Sequence, residues 1–331
     1  MPTSRNRTNN KMKKLGIIAN INSLDQIPEG DKINYMKFII DQIRQTREIV
    51  VIDWRDINQN LEIKKHLKCD KERIILQENK SNLNEICDLL FIKNLGKISK
   101  EKEKFLTFLK SLNNFKGKTI NPLESIKNNL SKQYILDFQE NGFSTIPTLD
   151  VKYPSTMKEL KKLKFKSHKD IPANLVVKPK IFGEQGVGVI KLSDFKNEEE
   201  FKEYHKKNHP IIIQPLMEEI KTKGENSFIF IENEFIHSVN KFTGKFKINC
   251  NGKTVYTKHK ATKEELKLCN KIIEAWQDKI NYMRIDLIPH KGKNLISEIE
   301  TANPAFYIEN VLELKDSFIK KLETLFLNFE N

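Results

Sequence analysis

The sequence predicts an α/β protein built of α+β lobes, with a wound parallel sheet in its first third. Three observations carry the prediction. Short apolar runs at residues 15–21, Ile49–Ile52 and Leu89–Ile92 alternate with segments of helical period. Beyond Pro147 and Pro154 the chain turns to strand-length runs set close together. Near its end, residues 282–288 and 295–300 alternate between apolar and polar side chains, the period of a half-buried strand.

The elements follow in order. Residues 1–14 are polar and basic and read as a disordered tail, or as an early start with Met12 as the true one. The apolar run after them is broken by Asn20 and is too short for a signal peptide. Residues 31–47 set Ile33, Met36, Ile40 and Ile43 at helical spacing, and residues 99–112 turn Phe105, Phe108, Leu109 and Leu112 to one face. This wound lobe is assigned to residues 15–125. Residues 131–141 predict a further helix, with Ser131 as N-cap and Gly142 past its end. Strands are expected at residues 175–177, 188–192, 211–214, 228–231 and 235–239, and Asn251-Gly252 marks a tight hairpin turn. Thr262 and Glu265 form a capping box for a helix carrying Leu266, Cys269, Ile273, Trp276 and Ile280, and residues 312–329 close the chain as helix. A central lobe is assigned to residues 126–215 and a C-terminal lobe to residues 216–331.

Composition narrows the function. At 331 residues and 38% apolar content the chain has room for two or three lobes with real cores. No run approaches the roughly 20 apolar residues of a membrane span, which argues against a membrane protein. The four cysteines, Cys69, Cys87, Cys250 and Cys269, have no paired spacing, so neither a zinc site nor a disulfide framework is indicated and a reducing cytoplasm fits. The formal charge of +14 comes from lysines spread among acids along every segment, the pattern of solvated helix faces and not of a nucleic-acid surface. Arginine is the sparing cation. After Arg73 the only one is Arg284.

Two regions carry chemistry. The first runs from Val176-Val177-Lys178-Pro179 to Gly183-Glu184-Gln185-Gly186-Val187-Gly188 and on to Val189-Ile190-Lys191. It lacks the P-loop pattern, because Val189 follows Gly188, and it opens no helix as a dinucleotide fingerprint should. Its flanks are β-branched, which makes it strand, glycine loop, strand. Such a loop folds over a polyphosphate and donates backbone N–H groups, with Lys178 reaching a phosphate; the bland alternative is a surface hairpin. The second region decides between them. Alternation puts Arg284 and Asp286 on one face of their strand, and Glu298 and Glu300 on one face of the next. Paired as a hairpin, they crowd three carboxylates and one guanidinium together. Hard oxygen ligands of this kind suit Mg2+ bridging nucleotide phosphates. His205 and His209 stand i, i+4 without a third ligand, so no metal site is assigned to them, and His237 and His259 are left without a role.

These residues resemble a family. Lys178-Pro179 with its glycine loop, the Gln214-Pro215-Leu216 strand end, Gly224-Glu225, and the Arg284-x-Asp286 to Glu298-x-Glu300 pair are similar to the ATP-grasp superfamily. The likeness is greatest to the branch holding glutathione synthetase, the ribosomal-protein glutamate ligases and the D-cycloserine-forming ligase, and it covers nearly everything after Lys14. It implies an ATP-grasp fold behind an N-terminal wound α/β pre-ATP-grasp domain. It further implies that Lys132, in Ser131-Lys132-Gln133-Tyr134, and Lys178 hold the nucleotide with Gly183, Gln185, Gly186 and Gly188. Gln214 and the backbone of Leu216 and Met217 match the adenine hinge; Glu225 matches the ribose acid, with Glu219 as its rival. Lys247, in Lys245-Phe246-Lys247-Ile248-Asn249, stands where the family has an arginine on the transferred phosphoryl group, a change that gives up bidentate geometry. The implied catalytic set is Arg284, Lys247 and Asn249, and the implied metal ligands are Asp286, Glu298 and Glu300. Glu300 takes the place of the usual asparagine, and Pro304-Ala305 that of the usual Pro-Gly.

The implied cofactors are ATP and Mg2+, two ions, with Mn2+ as a substitute. The implied reaction joins a carboxylate to an amine or thiol through an acyl phosphate, on amino-acid-like or peptide substrates, and releases ADP and phosphate. A homo-oligomer is compatible with all of this. The competing expectation is a non-catalytic nucleotide-binding or nucleic-acid-binding protein on the same fold. Phosphate release with candidate amino acids separates the first from an enzyme, and salt-dependent retention on DNA or RNA would reveal the second.

Overall fold

The computed structural model of the protein describes residues 13–21, 35–162, 174–183, 186–242, 254–276 and 278–329. Ile33, Gln185, Lys245, Lys247, Asn249 and the Asn251-Gly252 turn lie outside those residues, as does most of the expected tail. Lys13 and Lys14, assigned to that tail, are tied to the fold: Lys13 Nζ donates to the Phe329 carbonyl and the Lys14 N–H to Asp88.

Leu15–Ile18, buried along its whole length, lies inside a six-stranded sheet. Ile49–Ile52 and Leu89–Ile92 flank it in parallel register, and Lys118–Thr119 adds in parallel outside Leu89–Ile92. Strands covered on both faces read as unbroken apolar runs, which is why these were visible in the sequence. The sheet is nevertheless mixed, a correction to the purely parallel expectation. His66–Cys69 and Ile74–Gln77 extend its other edge as antiparallel strands. Ile74 and Leu76 face solvent there, so no apolar face marks that edge strand. The helices Tyr35–Ile43 and Lys102–Ser111 cover the sheet through Met36, Ile39, Ile40 and Ile43, and through Phe105, Phe108 and Leu109.

The second sheet is antiparallel, in the order Ile190–Lys191, Leu175–Pro179, Ile211–Pro215, Leu149–Val151. The strand expected at residues 188–192 shrinks to Ile190–Lys191, because Gly188 takes a left-handed φ of 76° and still belongs to the turn. The third sheet, also antiparallel, runs Val255–Lys258, Glu234–Phe242, Glu225–Ile231, Tyr282–His290, Lys293–Glu300. Lys291 and Gly292, at φ 45° and 76°, alone join the two last strands.

Two helices differ from expectation. Gln133–Glu140 has Lys132 at its N-cap, because the Lys132 N–H donates to the Lys180 carbonyl, while Ser131 Oγ accepts from the Gln133 N–H one position earlier. Lys263–Ala275 has the foreseen capping box but ends at Trp276, so Ile280 lies beyond it. Its Cys269 and Ile272 pack with Tyr134, Ile135 and Phe138 against Ile285, Leu287 and Ile299. The helix that carries Lys132 is therefore seated on the sheet that carries the acids. A separate core of Val177, Phe195, Phe201 and Ile213 holds the second sheet. The closing helix Lys315–Asn328 buries Phe318, Leu322 and Phe326 with Phe91 and Tyr282, which joins the first and third sheets in one core.

Candidate active site

The last two strands build the site. Their register sets Arg284 opposite Glu300 and Asp286 opposite Glu298. A bulge after Asp286 leaves Ser297 as the extra residue, and its hydroxyl donates to Glu225 two strands away, across Tyr282–His290. On the other side Ser227 stands opposite Asp286 and donates to its Oδ1 at 2.6 Å.

Arg284 is the hub. Its Nε donates to both oxygens of Asp286 at 2.9 and 3.1 Å, one terminal nitrogen reaches Glu298 at 3.0 Å and the other pairs with Glu300. A single guanidinium thus joins three carboxylates, which satisfies a charge that is almost wholly buried. Burial works against the cation, yet Asp286 and Glu300 hold Arg284 well above its ordinary pKa.

Lys132 enters from the start of its helix. Its Nζ donates to Glu298 Oε1 at 2.8 Å, and although burial would lower it, Glu298 holds it above its usual range. Glu298 mirrors this: burial pushes its carboxyl up, but Lys132 and Arg284 pull it well below the ordinary value. Glu300 keeps a raised pKa, because burial outweighs Arg284. Lys178, whose field Lys132 shares, is brought down to about 8 by burial first and by Lys132 second. The glycine loop begins against Lys132. A Cβ on Gly183 would stand 2.9 Å from the Pro179 carbonyl and 3.1 Å from Lys132 Cε, so glycine is required where the loop passes the lysine.

Two neighbouring lysines were not foreseen. Lys241 Nζ lies 2.8 Å from Asp286 and also pairs with Glu225, its cross-strand partner. Lys93, wholly buried at the carboxyl end of Leu89–Ile92, sits 4.2 Å from the Phe306 ring, and burial lowers it to about 7 against the pull of Glu300. A lysine closing a buried parallel strand was the available signal, since ligands gather at that edge of α/β sheets. Tyr307 has a φ of 54°, rare for an aromatic residue, and its ring is 5.2 Å from that of Tyr256 and 5.6 Å from the Arg284 guanidinium. His237 Nε2–H donates to the Phe306 carbonyl at 2.7 Å, and burial lowers it to about 4, so it is neutral and fixes the turn before Tyr307.

The expected adenine residues lie away from this cluster in their contacts. Gln214 donates to Thr148 Oγ1 at 2.7 Å, the Leu216 N–H to the Asn174 carbonyl at 2.8 Å, and Met217 packs with Ile146, Ile288 and Leu295. Glu225 joins the acid cluster through Lys241, whereas Glu219 pairs with His290 at 2.6 Å. His259 pairs with Glu265 at 2.9 Å.

Known proteins share this arrangement of sheets. A family profile described as the RimK-like ATP-grasp domain matches residues 144–315, over half of the chain. The chain belongs to the RimK-like ATP-grasp family. As a member it is an ATP-dependent ligase that joins a carboxylate to an amine, forming a carbon–nitrogen bond and releasing ADP. Ligases of this kind use ATP and a divalent metal, generally Mg2+. The ATP-grasp fold is also that of D-cycloserine synthetase DcsG, at 15% identity over 93% of this chain and 99% of that one, with a TM-score of 0.68. D-alanine–D-alanine ligase from Bacillus anthracis is similar at 15% identity, 97% coverage of each chain and a TM-score of 0.60. A Chryseobacterium gregarium RiPP-associated ATP-grasp ligase, in complex with ADP and a leader and core peptide, matches at 13% identity, covering 96% and 97%, with a TM-score of 0.57. No curated protein matches the sequence. Among the described residues no helix is long and apolar enough to cross a membrane.

The donor set of this RimK-like ATP-grasp protein fits a hard divalent ion through Glu298 and Glu300, whose side chains keep 33% and 27% of their exposure. Asp286 is fully buried, with both oxygens engaged by Ser227, Lys241 and Arg284. Among the described residues no three His, Cys, Asp or Glu side chains converge on one point, because the Arg284 guanidinium stands between the acids.

Proposed function

We propose that the acid hairpin and the lysine pair form one Mg-ATP site, at which the carboxylate of an amino-acid-like or peptide substrate is activated as an acyl phosphate and passed to an amine. The observation that carries the reading is the 2.8 Å contact between Lys132 and Glu298. A lysine assigned to nucleotide phosphate and an acid assigned to metal, 166 positions apart in sequence, meet at one point.

A carboxylate is a poor acyl donor, because oxide would have to leave. When its oxygen attacks the γ-phosphorus of ATP, the bond to the β,γ-bridging oxygen breaks and ADP departs, which leaves a mixed anhydride. The amine then attacks the acyl carbon, phosphate leaves and the nitrogen gives up its proton. The first step needs positioning and charge neutralisation more than covalent help. Lys132 and Lys178 would hold phosphate oxygens, and Gly183, Gly186 and Gly188 would let the loop backbone approach them. Glu298 and Glu300, with Asp286 if Lys241 yields, would hold the metal, Mg2+ or Mn2+ and two ions on the family pattern; it would neutralise phosphate charge there. Arg284 and Lys241 neutralise charge from the protein side, and Lys247 and Asn249, outside the described residues, keep the catalytic roles that the resemblance implies for them.

Substrate class is supported by the relatives, one named for D-alanine, one for D-cycloserine and one bound to a peptide. The test is a phosphate-release screen across amino acids and dipeptides as paired acid and amine. Release that requires both partners supports the reading, and ATP hydrolysis indifferent to every pair contradicts it.

A further inference from the structure

Both oxygens of Glu298 are engaged, Oε1 by Lys132 at 2.8 Å and Oε2 by Arg284 at 3.0 Å. Four carboxylates, Glu225, Asp286, Glu298 and Glu300, stand among the cations Lys132, Lys178, Lys241 and Arg284, with Lys93 also in the field of Glu300. The nucleotide-free cluster therefore holds no excess of carboxylates over cationic side chains. A divalent ion entering alone must displace a lysine from a carboxylate and leave excess positive charge in a poorly solvated site. Fully ionised ATP carries about four negative charges, so with two divalent ions it enters as a neutral group. Of the cations on Glu298, Arg284 is anchored on Asp286 and Glu300 as well, whereas among the described residues Lys132 is paired with Glu298 alone. Lys132 is thus the one that can leave.

We propose that Lys132 masks the metal site of the nucleotide-free protein, and that nucleotide phosphates open it by drawing Lys132 off Glu298, so that metal binds with the nucleotide and not before it. This rests on the reading of Glu298 as a metal ligand and Lys132 as a nucleotide lysine. It makes Lys132 a positioning residue for the metal as well as a phosphate ligand.

The test uses Mn2+ as probe, with the free ion counted by electron paramagnetic resonance against the full chain. Without nucleotide the wild type binds Mn2+ weakly, and Lys132→Met binds it at least about tenfold tighter. Lys178→Met, which removes a nearby charge without freeing Glu298, gains much less, and Lys132→Arg stays weak. Adding Glu298→Gln to Lys132→Met abolishes the gain. Lys132→Gln repeats the measurement should the methionine variant fail to fold. Equal nucleotide-free affinity in wild type and in either Lys132 variant overturns the masking. The underlying reading is judged separately with ADP present: if Glu298→Gln retains Mn2+ and ADP as the wild type does, Glu298 is not a ligand at all.

Discussion

Lys178 ties the site to pH. Its pKa of about 8 in the ligand-free protein means that it loses its proton just above neutrality, whereas phosphate oxygens favour the charged form. ATP binding should therefore take up a proton between about pH 8 and 10, and affinity should fall as pH rises through that window. Calorimetry in buffers of different ionisation heat reads the uptake directly, and Lys178→Ala should abolish it while weakening ATP by about 2 kcal/mol. Unchanged affinity would remove Lys178 from the site. Glu298 carries a second consequence, set by its two cationic partners. Lys132 and Arg284 already hold Glu298 below its ordinary 4.5, so the charged form stabilises the fold above that value, and the contribution is lost as pH falls through the lower folded pKa. Glu298→Gln should destabilise the ligand-free protein at pH 7, and the difference from wild type should shrink below about pH 4. Denaturant melts at both pH values check it; a more stable variant at pH 7 would mean that repulsion among the three acids dominates.

At the scale of elements, strand alternation disclosed the acid hairpin because period-two patterning fixes which face each side chain takes. The buried parallel strands were equally plain. What alternation could not show was the bulge at Ser297, which depends on pairing with a particular partner, or the edge strands His66–Cys69 and Ile74–Gln77, which lack an apolar face. The N-cap at Lys132 was hidden for a related reason, since its helix begins where a distant carbonyl, that of Lys180, accepts its N–H. The glycine loop gives a prediction of its own. Gly183→Ala would press a methyl group between the Pro179 carbonyl and the Lys132 side chain, so ATP affinity should drop several-fold while the fold survives. Nucleotide titration beside a thermal melt separates the two effects, and an alanine variant with full affinity would show that the loop has room to move.

For the whole molecule, the family was readable from charged residues at fixed positions, because phosphate and metal chemistry demands particular side chains at particular edges. Lys241 and Lys93 escaped notice because their meaning arises only in the folded chain: one stands two strands away from Asp286 in the same sheet, the other at the end of a parallel strand of another sheet. In a chain this rich in lysine, identity alone does not single out the two that are buried beside acids. The central claim is that Glu298 and its neighbours hold metal against the nucleotide gripped by Lys132 and Lys178. The most direct measurement is the unfolding temperature of wild type and Glu298→Gln, each with ATP in excess Mg2+ and with ATP in excess chelator. Wild type should gain more from ATP with Mg2+ than from ATP alone, and Glu298→Gln should gain the same in both. A Glu298→Gln protein that keeps the whole Mg2+-dependent gain would contradict the account.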